Sequence, residues 1–331
     1  MIVFFIFHAL PGDPVAMMSG QRTDVSTREA IMKDLGLNKS LPVQLGYYIN
    51  DLLPITFHED TYEAQNKYSY TKLIGIGGNA LVIKYPYLRR SFHSNKKVSE
   101  ILADHFEGTF WLALTAMFIA TTIGILAGIA AAIKQNTWID HTIISVSALG
   151  ISIPSFVAAI LFAMVFGYYL SDYTGLNITG QLWVTDPIDG RTLQLKNIIL
   201  PALTLGLRPV SIIVQLTRSS MLEVMSQDYI RTAKAKGLKY SKVIFNHALK
   251  NALNPVITAV SGWLASLLAG AFFVEYIFNW KGIGLVTIKA VENLDFPVVM
   301  GSTLFIALIF IITTILVDVL YAIVDPRVRL S

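Results

Sequence analysis

The sequence predicts an all-α polytopic membrane protein with about six transmembrane helices, the first of them incomplete. Three observations carry this. The 331-residue chain is 54% hydrophobic and only 15% charged, where a soluble domain carries about 25% charged residues. Its mean hydropathy is +0.56. Its charges are clustered, which leaves uncharged runs long enough to cross a bilayer, a length of roughly 20 residues.

Met1–Leu10 is apolar but too short to span. It reads as the second half of a spanning helix whose beginning is absent. A cleaved signal peptide would need a basic n-region and a small-residue cleavage site. Four uncharged runs follow: Phe110–Ile133, Thr142–Leu170, Asn251–Val274 and Pro297–Val317. A fifth, Asn197–Thr217, is interrupted only by Arg208. The chain has no cysteine, so disulfide and thiolate-metal chemistry are excluded. No cofactor is implied.

Positive charge favours the cytoplasmic side. The loop after Thr217 holds Arg218, Arg231, Lys234, Lys236, Lys239, Lys242 and Lys250 against Glu223 and Asp228. Its opposite loops, 171–196 and 279–296, carry Arg191, Lys196, Lys281 and Lys289 against five acids. The basic loop and both termini are therefore expected inside. Residues 1–10 form the partial first helix, 11–108 an extracytoplasmic segment, and 109–331 a five-helix core with a loop at 223–250. In the outer segment, Thr27–Leu53 reads as helix and turns with a break at Pro42. Pro54–Val98 is tyrosine-rich with a Gly75-Ile-Gly-Gly78 turn, and is read as a small cap or a segment lying against the membrane surface.

Within the core, Gly124 and Gly128 form a GxxxG pair, and Gly262, Ser266 and Gly270 lie four apart. Small residues at that spacing let helices approach closely, and ordinary packing is favoured over a substrate-lining role. Gly150-Ile-Ser-Ile-Pro-Ser155 puts a proline inside a span, which bends a helix and suits either a static kink or a gate. Arg208 lies mid-span, where a charge costs about 2.5–3.5 kcal/mol. It is expected to face the bundle interior, a watery path or an acid, with Glu275 and Asp318 the candidates. It reads equally as a structural ion pair and as a path residue meeting an anion such as a peptide carboxylate. Pro154, Ser155, Arg208, Gly262 and Ser266 are the candidate path residues.

The loop itself reads as two short helices. Asp228–Lys236 has an acid near its start, and Gly237 stands where a left-handed residue ends a helix. Ser241 is placed to cap Lys242–Ala252. Tyr229, Ile230 and Ala233 are expected on one side of the first helix, and Val243, Ile244, His247 and Ala248 on one side of the second.

Ala233-Lys-Ala-Lys-Gly237 resembles the Ala-x-x-x-Gly core of the EAA loop of ABC importer permease subunits. Asp228-Tyr-Ile-Arg-Thr-Ala-Lys-Ala-Lys-Gly237 with His247-Ala-Leu-Lys-Asn-Ala252 resembles the dipeptide/oligopeptide/nickel branch. Leu10-Pro-Gly-Asp-Pro14, Leu200-Pro-Ala-Leu-Thr-Leu205, Thr217-Arg-Ser-Ser-Met-Leu-Glu223, Gly282-Ile-Gly284, Asp295-Phe-Pro297 and Asp325-Pro-Arg327 agree in order, the first pointing to the B-type subunit. The likeness covers nearly all of the chain and thins across Pro54–Tyr85, which is read as an insertion. Arg231 stands where the general motif has Glu, and Leu249-Lys250 where it has Leu-Pro.

The resemblance implies the type I ABC importer permease fold and no enzymatic site in this chain. It implies two separate ATP-binding subunits, a second homologous permease and an extracytoplasmic substrate-binding protein, in a bacterial inner membrane. It also implies that Tyr229, Ile230, Arg231, Ala233, Gly237, His247 and Leu249 serve ATPase coupling. No GxxxxGK[ST] phosphate loop is present. The rivals are an intramembrane enzyme and an ion-coupled secondary transporter or channel subunit. The six histidines are scattered, and the mid-membrane charge is basic, whereas carriers use intramembrane acids in inverted repeats. Nothing points to nucleic acid.

Overall fold

In the computed structural model the described residues are 4–5, 32, 38–186 and 190–324. Most of the expected first helix, the Leu10–Pro14 stretch and the Asp325–Arg327 tail lie outside them. The described chain divides into two compact units, residues 1–104 with 287–305, and residues 105–286 with 306–331.

The first unit contains a β-sheet that the helical reading did not draw. Strands β1 (Ile55–Glu59), β2 (Thr71–Ile76) and β3 (Asn79–Ile83) pair antiparallel in the order β1-β3-β2. The tight hairpin between β2 and β3 requires positive φ, and Gly77 and Gly78 supply it at +55° and +87°. The helix Tyr62–Tyr68 crosses over from β1, its first turn capped by the Thr61 side chain accepting from the Ala64 N–H. Pro42 lies in the first turn of a Leu41–Leu52 helix, where its missing N–H costs nothing.

A polar knot holds this unit. Buried Asp51 accepts from the Tyr68 hydroxyl at 2.9 Å and the Arg89 Nε at 3.3 Å. Lys84 donates to the Asp51 carbonyl at 3.0 Å with its ammonium 4.2 Å from the Tyr68 ring centre. Asp295 accepts from the Ser91 hydroxyl at 2.5 Å and the Phe92 N–H at 3.1 Å. That gives the Asp295-Phe-Pro297 motif a physical role, fastening the 91–92 turn.

The second unit is built around the helix Lys196–Met225. Gly124 and Gly128 of the Val98–Ile133 helix lie against it so closely that a Cβ on Gly128 would stand 2.5 Å from Thr217 and 2.8 Å from the Val214 carbonyl. Gly150 meets the Leu207 carbonyl, and Gly206 meets the Ala116 carbonyl. The glycine pair is thus a packing device, as favoured. Buried Asp140 receives a two-pronged bond from Arg218, 2.6 Å on each oxygen, and tethers the Trp138–Ser152 helix to the C-terminal end of Lys196–Met225. A second small sheet, β4 (Trp183–Asp186) with β5 (Gly190–Leu193), lies in a connecting loop.

Among the described residues three helices are long and apolar enough to cross a membrane: Val98–Ile133, Lys196–Met225 and the 296–319 stretch of Phe296–Val324. Each contains or nearly contains one expected run. The expected Thr142–Leu170 span differs from a kinked helix. It breaks at Ile153-Pro154 into Trp138–Ser152 and Ser155–Tyr169, bent by 107°. Proline at 154 cannot donate to the preceding turn, and Ile153 ahead of it takes an extended backbone. The Asn251–Val274 run yields a shorter helix, Asn254–Leu268, ended where Gly270 adopts φ +122°.

Candidate functional site

The basic loop folds as two short helical pieces. Asp228–Ala235 is capped by Gln227 without a side-chain bond, so Asp228 stands in the first turn rather than at the cap. Its carboxylate is 3.3 Å from the Arg231 guanidinium on an exposed surface. Gly237 follows with φ +74°, the left-handed residue expected there. The second piece starts at Tyr240, one residue before Ser241, which therefore caps nothing. It runs into a π-helical stretch, Val243–Ala248, and ends at Leu249–Ala252. Each extra residue per turn there rotates the following side chains relative to a plain helix.

The loop divides into two sides, and Tyr229 is the residue that falls on the other side from its expected group. Ile230, Ala233, Val243, Ile244, Ala248 and Ala252 are buried together with Ile129 and Met221 from the C-terminal ends of the Val98–Ile133 and Lys196–Met225 helices. Leu249 packs against the same cluster, and His247 is half-buried. Tyr229, expected beside Ile230 and Ala233, is instead 44% exposed, its hydroxyl accepting from the Asn251 amide at 2.9 Å. Tyr240 and Phe245 are 52% and 54% exposed. Sequence reasoning missed these two aromatic residues, although their position among lysines was a signal. The loop thus has an apolar root in the bundle and an aromatic, basic outer face with Arg231, Lys234, Lys236, Lys239 and Lys242 exposed.

The expected path residues divide as well. Arg208 is exposed on Lys196–Met225, and among the described residues it has no ion-pair or hydrogen-bond partner. Neither Glu275 nor Asp318 reaches it. Between Leu200 and Leu222 the exposed residues are Arg208, Gln215 and Ser219. At intervals of seven and four residues they share one helix face. On Asn254–Leu268, which packs against that helix, the exposed residues are Asn254, Pro255, Thr258, Gly262 and Ser266. A side chain on Gly262 would meet nothing within 4 Å in this chain. Pro154 is exposed and Ser155 half-buried at the break.

Glu275 was weighed only as a partner for Arg208, and the structure gives it another place. Fully buried, it accepts from the Thr109 hydroxyl at 2.8 Å and from the N–H groups of Gly284 and Leu285 at 2.7 and 3.1 Å. These N–H groups open the Ile283–Glu292 helix and have no partner inside it. The Ile283 N–H donates to Thr109 at 2.8 Å. Gly282-Ile-Gly284 is glycine-bearing because the carboxylate fills the space a Cβ would take.

The family model described as "Binding-protein-dependent transport system inner membrane component" matches residues 124–330. Its N-terminal companion, "Binding-prot-dependent transport system membrane comp, N-term", matches residues 1–113. The dipeptide transport system permease protein of Escherichia coli (strain K12) is 35% identical, covering 99% of this chain and 93% of that protein. The glutathione transport system permease protein of Salmonella typhimurium is 34% identical, covering 99% and 92%. A putative peptide transport system permease protein of Brucella abortus is 36% identical, covering 99% and 93%. Among solved structures, an inward-facing MetNI methionine ABC transporter chain superimposes with a TM-score of 0.54 at 14% identity, covering 68% of this chain and 97% of that one. At that identity the likeness concerns the fold alone.

Proposed function

The chain belongs to the family of binding-protein-dependent transport system inner membrane components, and from that premise we propose that it is a permease subunit of an ATP-driven importer of peptides. Peptide cargo is proposed because the curated relatives named above carry dipeptide, glutathione and peptide in their names. The partners proposed are a second, homologous permease, two ATP-binding subunits and an extracytoplasmic substrate-binding protein. The proposed setting is a bacterial inner membrane with both termini cytoplasmic.

One observation carries the mechanism: the loop is rooted in the spans and bare on its outer face. A load on Tyr229, Tyr240 and Phe245 passes through Ile230, Ala233 and Val243 to Ile129 and Met221, residues in direct packing contact. Close-packed interiors transmit such displacements rather than absorb them. ATP-driven closure of the ATPase pair would shift the loop, and the spans would exchange outward for inward access. The exchange is driven only by the difference in how well the two states bind the nucleotide-loaded ATPase. Arg231 and His247 lie at the flanks of this surface, Gly237 sets the angle between its two pieces, and Leu249 belongs to the root. The path is proposed to run along Arg208, Gly262 and Ser266, with Pro154 and Ser155 at the break of the neighbouring pair.

The test is retention of the ATPase by the detergent-purified complex. Tyr240→Ala with Phe245→Ala is expected to release it while the permease stays inserted and monodisperse. Full retention with normal ATP-dependent dipeptide uptake would remove the loop from the mechanism.

A further inference from the structure

The exposed faces of the spanning helices differ in kind. Phe296–Val324 exposes Leu308, Phe310, Ile311, Ile315, Leu316 and Val319. Val98–Ile133 exposes Phe110, Trp111, Leu114, Phe118, Ile123 and Leu126. Both faces suit lipid. Lys196–Met225 exposes, over more than five turns from Leu200 to Leu222, only Arg208, Gln215 and Ser219. Its neighbour Asn254–Leu268 exposes no large apolar side chain. A polar stripe with a guanidinium unpaired among the described residues does not suit lipid, where the charge alone costs about 2.5–3.5 kcal/mol. It suits a watery passage.

Within that stripe Arg208 is the only charge between Lys196 and Arg218. Among the described residues nothing neutralises it, and Gln215 lies two turns along the same face. A guanidinium forms its strongest bonds with carboxylates, two parallel N–H···O contacts at once. We propose that Arg208 is a specificity-determining residue of the path, receiving the terminal carboxylate of a passing peptide, with Gln215 and Ser219 as the neutral acceptors and donors that follow. This rests on the importer reading above. A passage needs such a site to be weak, and an exposed, hydrated guanidinium is weaker than a buried one. The site therefore sorts cargo without trapping it.

The experiment uses the assembled transporter in proteoliposomes, with alanyl-alanine and alanyl-alanine amide as probes at saturating binding protein. The quantity read is the ratio of maximal uptake rates, free acid over amide. The binding protein is common to wild type and variant, so its own preference cancels when the two ratios are compared. Arg208→Gln is expected to lower the ratio about tenfold, the size of one charge-assisted hydrogen bond. Arg208→Lys is expected to keep most of it, which guards against a variant that merely folds poorly. An unchanged ratio in Arg208→Gln overturns the proposal, whatever happens to total uptake. An equal fall for both probes in Arg208→Gln and Arg208→Lys also overturns it, in favour of a structural arginine. Failure of the wild type to take up either probe overturns the peptide-importer reading instead.

Discussion

At the scale of single residues, two positions decide local geometry by different physics. Gly237 is fixed by its backbone alone. A Cβ there would meet no atom within 4 Å, yet its φ is +74°, a conformation that costs an L-residue about 1–2 kcal/mol. Gly237→Val is therefore expected to reset the angle between the two loop pieces and abolish ATP-coupled uptake while leaving membrane insertion intact. Normal uptake by the inserted variant would show that the turn is indifferent. Glu275 is fixed by its partners. Glu275→Ala leaves the N–H groups of Gly284 and Leu285 and the Thr109 hydroxyl without an acceptor in a buried site, at about 1–3 kcal/mol for each stranded group. A clear drop in the thermal unfolding temperature in detergent is expected, and a smaller one for Glu275→Gln, which keeps an acceptor for the helix end. Gly237 was readable in the sequence because a lone glycine after a short amphipathic helix has one common use. The role of Glu275 was not, because its three donors come from residues 9, 10 and 166 positions away.

At the scale of elements, two glycines on apolar helices make opposite demands. Gly128→Leu would drive a side chain into Thr217 and the Val214 carbonyl, separating two helices whose contact depends on small residues. Loss of folded protein on size exclusion is expected. Gly262→Leu projects into open space and should leave the chain as stable as before. If the face it occupies lines the path, uptake falls all the same. Unaltered uptake would take Gly262 out of the passage. The sequence marked both glycines by the same four-residue spacing and could not tell them apart. Spacing reports that a helix face is small, not whether another helix lies on it. The Val243–Ala248 stretch is the opposite case: Val243, Ile244 and Ala248 are buried as the sequence grouped them, and Phe245 between them is exposed.

At the scale of the whole molecule, the first unit carries a pH dependence of its own. In the first, burial holds the Lys84 ammonium down to about 8, against the ordinary 10.5, despite the opposing charge of Asp51. The folded unit thus releases this proton at a pH where the unfolded chain still holds it. Stability rises with pH when the unfolded state binds more protons. Protection of strands β1 to β3 from hydrogen exchange, corrected for intrinsic rates, should increase between pH 8 and 10. The gain stops above pH 10, where burial and the nearby Asp51 carboxylate keep Tyr68 protonated in the fold after the unfolded chain has lost that proton. Burial also keeps His58, stacked on Tyr68, below its usual value of 6.5, so stability also rises with pH on the acid side of that value. No pH dependence between 8 and 10 would place Lys84 in water rather than in the knot around Asp51.

Composition and the spacing of apolar runs were enough to establish a helical membrane protein with a basic loop on one side, because the cost of charge in a bilayer leaves its mark on every stretch of chain. The order of short motifs was enough to indicate the family. Which side of a short helix turns inward, that Pro154 breaks a span by 107°, and that Glu275 serves a helix end while Arg208 has no partner among the described residues, were decided only by the tertiary structure. Those outcomes depend on atoms brought together from distant parts of the chain, and on faces whose occupants no local pattern encodes.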